Sequence, residues 1–381
     1  MKRSIWKTDL FVIAISLVCL NAAAAQDVKI GMVAPLSGPA ASYGTDILNG
    51  LLLAVDDLNA KGGIVGRKVV LEQGDDRGSP QDAANVTQKF ASDDKVVALI
   101  GGATSTATFG AVPVAQKAKI PFFVTLASHP DLTKEGNEIF RNSTTQEAEG
   151  PALAKLISVC LAAKSVGVMN LNNDWAIEMT SQFKKALAET PIKITVEESY
   201  NPGDNIDYAS KLAKVKATNP DVIWFGSQYN DLALILKQAQ QMNLGATPLV
   251  GSAGDHTTGL LKVAGSAANN LYLHTLFFDE STDPAVKSFI DAFKKRFNSS
   301  PNLFSAQAYE GMLMLAEAIK LGNFTRDGTR DALTKIKDFP GVTGKLTIDP
   351  KTREMSGKHF IPLVVKDGKF AYWADCDHKL Q

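Results

Sequence analysis

From residue 28 onward the chain alternates short runs of β-branched and apolar residues with longer stretches whose apolar positions recur every three or four residues. No other feature constrains the fold as strongly. A short apolar run bounded by turn residues reads as a buried strand, and apolar spacing of i, i+3, i+4 and i+7 reads as one helix face. Strands separated by helices cannot close as hairpins. They pair parallel, and the helices cover both faces of the sheet. The first series predicts strands over Val28–Pro35, Arg67–Gln73, Val96–Ile100 and Pro121–Leu126, with helices over Asp46–Ala60, Pro80–Ser92 and Thr106–Lys117. Lys61-Gly62-Gly63 supplies the glycine stop for the first of these helices.

The alternation then restarts. Helices are predicted over Gly150–Ala163, Ala176–Glu189, Tyr208–Thr218 and Asp231–Met242, and strands over Ser165–Leu171, Ile192–Glu198, Val222–Gly226, Pro248–Val250 and Leu271–Leu276. Two series of similar length imply two α/β lobes. The tail starts no third series: Pro284–Phe297, Ser305–Leu321 and Asp327–Lys337 are helical and need a sheet to pack on, which the first lobe provides. Lys345–Ile348, Phe360–Lys366 and Lys369–Trp373 are late strands that complete a sheet edge. A chain that visits each lobe twice crosses between them three times, and three crossings make a hinge beneath a closing cleft. The expected division is residues 1–25 as a signal peptide, 26–147 plus 277–357 as lobe one, and 148–276 plus 358–381 as lobe two.

The N-terminus reads as an export signal, with an uncleaved anchor as the alternative. Lys2, Arg3 and Lys7 precede an apolar run from Leu10 to Leu20, shorter than the roughly 20 residues that span a bilayer, and Ala22–Ala25 offers a cleavage site after Ala25. Val18 is bulkier than the small residue that precedes a lipidated cysteine, which argues against lipidation at Cys19. Cleavage leaves 356 of the 381 residues, enough for two cores. Of the 40 basic and 40 acidic residues, losing Lys2, Arg3, Lys7 and Asp9 leaves 37 and 39, a net charge of −2. With no basic block, nucleic acid and anionic membrane surfaces are not expected partners. Cys160 and Cys376 either pair, as an oxidising periplasm permits, or stand as two buried thiols.

Catalytic and metal signatures are missing. There is no H-E-x-x-H, C-x-x-C, G-x-S-x-G, Walker A or G-x-G-x-x-G pattern, and His129, His256, His274, His359 and His378 are scattered. Neither metal nor cofactor is expected. Ser252, Asp255 and His256 lie close together but lack the strand-turn-helix elbow of a hydrolase. Asp75-Asp76 reads as a solvated turn. The informative stretch is Gly101-Gly102-Ala103-Thr104-Ser105-Thr106, which follows a strand and opens a helix. Free N–H groups and the helix dipole there favour a carboxylate; alternatively, Ser105 or Thr106 merely caps the helix. Leu126-Ala127-Ser128 ends the next strand, and ligands of parallel sheets sit beyond the carboxyl ends of strands. Adjacent strand ends bring Ser105 and Ser128 to one rim.

Together these residues resemble the leucine/isoleucine/valine-type periplasmic binding proteins, the type I solute receptors of ABC transporters. The resemblance runs from Ile30-Gly31, Pro35–Gly38 and Tyr43-Gly44 through Ala54–Arg67, Asp75-Asp76, Ile100–Gly102, Ile120-Pro121 and Ser128–Thr133 to Phe140-Arg141. It implies a monomeric receptor that captures a small carboxylate, an amino acid above all, and hands it to a membrane permease. It further implies that Ser105 and Ser128, with Thr106 and Ala127 beside them, hold the carboxylate, and that the Leu126 carbonyl accepts from an ammonium. Tyr43 lines the cleft from lobe one, Trp175 and Tyr229 close from lobe two, and Phe304 shapes the side-chain pocket. The family's acidic residue for the amine falls near Ala253, which cannot supply it; Asp255 takes the role if the Gly251–Gly254 loop shifts. An unaminated acid or an amide therefore stays open as ligand, and a sensor role stays open beside transport. The short-loop disulfide of some members is absent, since Gly78 and Thr104 stand at those places.

Overall fold

The computed structural model describes residues 26–93, 95–201, 207–244 and 246–380. The expected export signal, its expected cleavage site and Cys19 lie outside the described residues. In chain order the strands are β1 Val28–Ala34, β2 Val69–Asp75, β3 Val96–Gly101, β4 Phe122–Val124, β5 Ile139–Arg141, β6 Ser165–Leu171, β7 Lys193–Tyr200, β8 Val222–Gly226, β9 Leu249–Val250, β10 Leu271–Thr275, β11 Phe339–Gly341, β12 Gly344–Ile348, β13 Met355–Lys358, β14 Ile361–Lys366 and β15 Lys369–Tyr372. The helices are α1 Ala41–Ala60, α2 Pro80–Ala91, α3 Ser105–Lys117, α4 Gln146–Lys155, α5 Asp174–Leu187, α6 Ala209–Ala217, α7 Tyr229–Gln241, α8 Thr258–Ala264, α9 Pro284–Phe297, α10 Leu303–Leu321, α11 Arg326–Leu333 and α12 Ala374–Leu380.

The first sheet has five parallel strands in the order β2-β1-β3-β4-β5. Strand alternation sends Ile30, Met32, Ala98 and Ile100 into one layer with Ile47, Leu51 and the apolar residues of α10. It sends Val33 and Leu99 into the opposite layer, with Phe90 of α2 and Ala107 and Ala111 of α3. Both faces are buried, so β3 reads as an unbroken apolar run rather than an alternating one. Helix α10 is buried on nearly every side and packs along α1. That approach depends on Gly50, where a Cβ would stand 2.2 Å from the Ser305 carbonyl oxygen. Helix α1 stops where the sequence predicts, with Gly62 and Gly63 at positive φ.

The second sheet runs β15-β14-β10-β9-β8-β6-β7. Its β7 to β10 core is parallel, and β14 and β15 add an antiparallel edge. The parallel-sheet lobes stand as expected, and the returning tail completes this edge as a short β14–β15 hairpin, which pairs antiparallel. Met169, Leu171, Ile223 and Phe225 face α7 and α8, while Val166, Val168, Val222 and Trp224 face α5 and α12. Cys160 and Cys376 are joined in a disulfide, with Cα atoms 5.1 Å apart, tying the π turn after α4 to α12.

The chain passes between the sheets after β5, after β10 and between β13 and β14. Asn142, at the first passage, donates to the Gln307 carbonyl at 2.7 Å. Lys358, at the third, makes a buried ion pair with Glu310, and Thr343 donates to the same carboxylate. A buried pair of this kind holds only because its remaining lone pairs are satisfied. Strand β12 departs from expectation. It belongs to a small sheet, β11-β12-β13, rather than to an edge of either large one. Segments as short as Phe339–Gly341 carry no periodicity by which to find them.

Candidate ligand-binding cleft

The carboxyl ends of both sheets face one cavity, about 630 Å³ of empty space including its mouth. At its anionic end Thr104, not Ser105 or Thr106, caps α3: its hydroxyl accepts from the Ala107 N–H at 3.3 Å, and its carbonyl from the Thr108 N–H at 3.0 Å. The hydroxyls of Ser105 and Thr106 are thereby released from capping, and the N–H groups of the first turn point outward. Ser105 Oγ accepts from the His129 N–H at 3.3 Å, which holds it toward Ser128. Ser105, Thr106, Leu126, Ala127 and Ser128 all line the cavity. The Ala127 N–H donates to Gly102 and its carbonyl accepts from Arg141, so the strand-end loop is fixed.

Tyr43, Trp175 and Phe304 form the aromatic wall. Tyr43 stacks on Phe304 with centroids 4.9 Å apart. Its hydroxyl accepts from the Tyr229 N–H at 3.1 Å, across the gap between the sheets. Burial pushes the Tyr43 hydroxyl pKa well up, so it stays a neutral hydrogen-bonding group. Tyr229 itself is corrected. Its ring packs edge-on against Tyr43, but its hydroxyl turns away from the cavity and donates to the Pro39 carbonyl at 3.0 Å. It ties the lobes together instead of covering a ligand. Thr106 makes a second tie, its hydroxyl donating to Asp174 at 2.8 Å. Ser42 and Thr257 make a third, at 2.9 Å.

Asp255 is also corrected. It does not line the cavity. Its Oδ2 accepts from the Ser252 N–H at 2.8 Å, closing the short turn that starts at Ala253. Burial pushes its carboxyl well above the carboxylate range. The loop has not shifted to present it. The neighbouring His256 bonds Thr275 and packs on Phe370, and burial lowers it to about 4. Asp255 thus holds the Ser252 backbone while His256 bonds Thr275, and among the described residues no side-chain relay links the three. Asp76, expected in a solvated turn, is buried, and its carboxylate accepts from the Gly78 N–H.

Glu149 was missed. It lines the cavity from α4, 4% exposed, with Oε1 accepting from the Ala253 N–H at 2.9 Å and from His274 Nε2 at 3.0 Å. A signal for it exists in the sequence: Gln146, Glu149, Gly150, Leu153 and Ala154 recur at helical spacing as one inward face, and a carboxylate stands on it. Ser227 and Gln228, at the end of β8, complete the floor.

Two lobes whose strand ends enclose an anion-favouring helix terminus and an aromatic wall define a ligand receptor that closes on a small molecule. Residues 27–369 match the family model described as periplasmic binding protein. The chain belongs to the periplasmic binding protein family. It is 28% identical over 337 residues to the Leu/Ile/Val-binding protein BraC3 of Rhizobium johnstonii, covering 88% of this chain and 90% of that one. Identity is also 28%, over 330 residues, with the leucine-, isoleucine-, valine-, threonine- and alanine-binding protein of Pseudomonas aeruginosa, covering 86% and 87%. Among solved structures, the branched-chain amino acid transporter substrate-binding protein LivJ of Streptococcus pneumoniae, in complex with isoleucine, superposes with a TM-score of 0.85 at 31% identity, covering 90% of this chain and 97% of that one.

Proposed function

We propose that this chain is the periplasmic receptor of an ABC transporter, that it binds the carboxylate of a small amino or organic acid at the start of α3, and that it presents the closed form to the permease. Residues 26–147 and 277–357 act as one lobe, and 148–276 and 358–381 as the other. The observation that carries this reading is the convergence of Ser105, Ser128 and the N-terminal turn of α3 on a cavity walled by Tyr43, Trp175 and Phe304.

The ligand first meets lobe one. Ser105, Ser128 and the α3 N–H groups exchange water for the carboxylate, each charge-assisted bond contributing about 1.5–3 kcal/mol. Closure then brings Trp175 over the ligand and makes the Thr106–Asp174 and Tyr229–Pro39 bonds. A ligand shifts the lobes toward closure only because it contacts both of them. The apolar wall adds roughly 25 cal/mol per Å² buried. No bond in the ligand is broken. The relatives' names favour aliphatic amino acids as ligands.

A thermal-shift screen of amino acids, amides, and aliphatic and aromatic acids tests this. A stabilising hit is expected among carboxylates, lost in the Ser105→Ala/Ser128→Ala variant. Full affinity in that variant refutes the site.

A further inference from the structure

The cavity holds one carboxylate whose needs the protein meets only in part. Both donors to Glu149, the Ala253 N–H and His274 Nε2, reach the same oxygen, Oε1. Its Oε2 accepts no hydrogen bond from any described residue, although Glu149 lines the cavity. His274 reaches Oε1 and leaves Oε2 open to the cavity. Its Nδ1 is buried with no partner. Its ring edge is further closed off by Phe360, 4.6 Å away between centroids. A buried carboxylate oxygen without a donor is costly, and a ligand that brings a cationic donor recovers that cost on binding.

We propose that Glu149 Oε2 accepts from a cationic group of the ligand and so restricts this cleft to zwitterions, α-amino acids whose carboxylate lies on α3; the proposal rests on the receptor reading above.

The placement fits. The Gln146 N–H bonds the Ser128 carbonyl at 3.1 Å, which seats the first turn of α4 against the strand end that carries the anion site. Glu149 stands three residues further along the same face, a rise of about 4.5 Å. Glu149 thus lines the same cavity as Ser105 and Ser128. No other acid competes. Asp255 is turned into its own loop, and Ala253 offers a methyl group where it meets the cavity. The turn carrying Ala253 instead gives its N–H to Glu149, so the backbone of one lobe-two loop aims a carboxylate borne by another element.

The test is calorimetric titration of the mature chain with the standard amino acids and with amine-free counterparts: 4-methylpentanoate for leucine, 3-methylpentanoate for isoleucine, 3-phenylpropanoate for phenylalanine, and benzoate. The wild type is expected to bind an amino acid at least about 10-fold tighter than its amine-free counterpart. Glu149→Gln keeps an oxygen for Ala253 and His274 but loses the charge. It is expected to weaken the amino acid by about 10- to 100-fold and the amine-free acid by less than about 3-fold. The wild-type comparison needs no variant, so it stands even if Glu149→Gln folds poorly. Equal affinity of wild type and Glu149→Gln for the amino acid overturns the proposal. So does a wild type that prefers the amine-free acid, or one that binds no amino acid at all. Ser105→Ala/Ser128→Ala separates the two levels: retained affinity there sinks the receptor site itself, whereas its loss beside an indifferent Glu149→Gln sinks only the role of Glu149.

Discussion

Removing the Cys160–Cys376 bridge should loosen the second lobe without touching the cleft. The bridge joins residues 216 apart in sequence. Loop-closure entropy for a loop of that length is worth about 5 kcal/mol, and measured disulfides contribute more typically about 2–4. What the bridge holds in place is modest: α12 is a seven-residue helix, fastened otherwise by Lys155 donating to the Leu380 carbonyl at 2.6 Å and by packing on the π turn. The expected cost for a Cys160→Ala/Cys376→Ala variant is thus about 2–5 kcal/mol. Trp175, Trp224 and Trp373 all stand in or beside elements of the second sheet, so tryptophan fluorescence in urea reads that lobe. With a slope of about 2–3 kcal/mol per molar urea, the midpoint should fall by about 1–2 M. Ligand affinity at low urea should be unchanged, because neither cysteine lines the cavity. An unchanged midpoint under oxidising conditions would refute the reasoning.

Two further outcomes follow from the contacts between the lobes. Tyr229→Phe removes the bond to Pro39 and leaves the cavity lining intact, so closure weakens by about 1 kcal/mol and calorimetric affinity should fall about 5-fold; equal or tighter binding would contradict its role as an interlobe tie. Asp46, which accepts from Asn302 at 2.7 Å and from Thr257 of the other lobe at 3.3 Å, is raised from 3.8 to about 6, chiefly by burial and against those two hydrogen bonds. A folded-state value raised for an acid means the ionised form is disfavoured in the fold. Stability is therefore full below pH 4 and declines as pH rises through 6, by at most about 3 kcal/mol. Asp46→Asn should match the wild type at pH 4 and exceed it at pH 7 in urea midpoint; a pH-independent gap would disprove this.

Much of the architecture was readable because apolar periodicity is a local property. Buried strands such as Val96–Gly101 and the long apolar helix Leu303–Leu321 announce themselves within a dozen residues. The candidate anion site is legible in the same way, since a strand end, small residues and hydroxyls at a helix start are contiguous. Side-chain direction was less accessible. Tyr229 was placed in the right loop, but the turn from Gln228 into α7 aims it at Pro39. Asp255 looked available two residues from Ala253, yet a three-residue turn needs its carboxylate for the Ser252 N–H. Glu149 was the reverse case. Its partners Ala253 and His274 lie 104 and 125 residues away, so only its position on the buried helix face hinted at them. The small sheet β11-β12-β13 and the edge strand β5, Ile139–Arg141, are too short for periodicity to register.

The central claim is geometric, and a crystal structure of the mature chain with its tightest ligand from the screen tests it most directly. The account predicts the ligand carboxylate at about 2.6–3.1 Å from the Ser105 and Ser128 hydroxyls and the first N–H groups of α3, with Trp175 covering it from the second lobe. A ligand lodged elsewhere, or one whose carboxylate points away from α3, would contradict it.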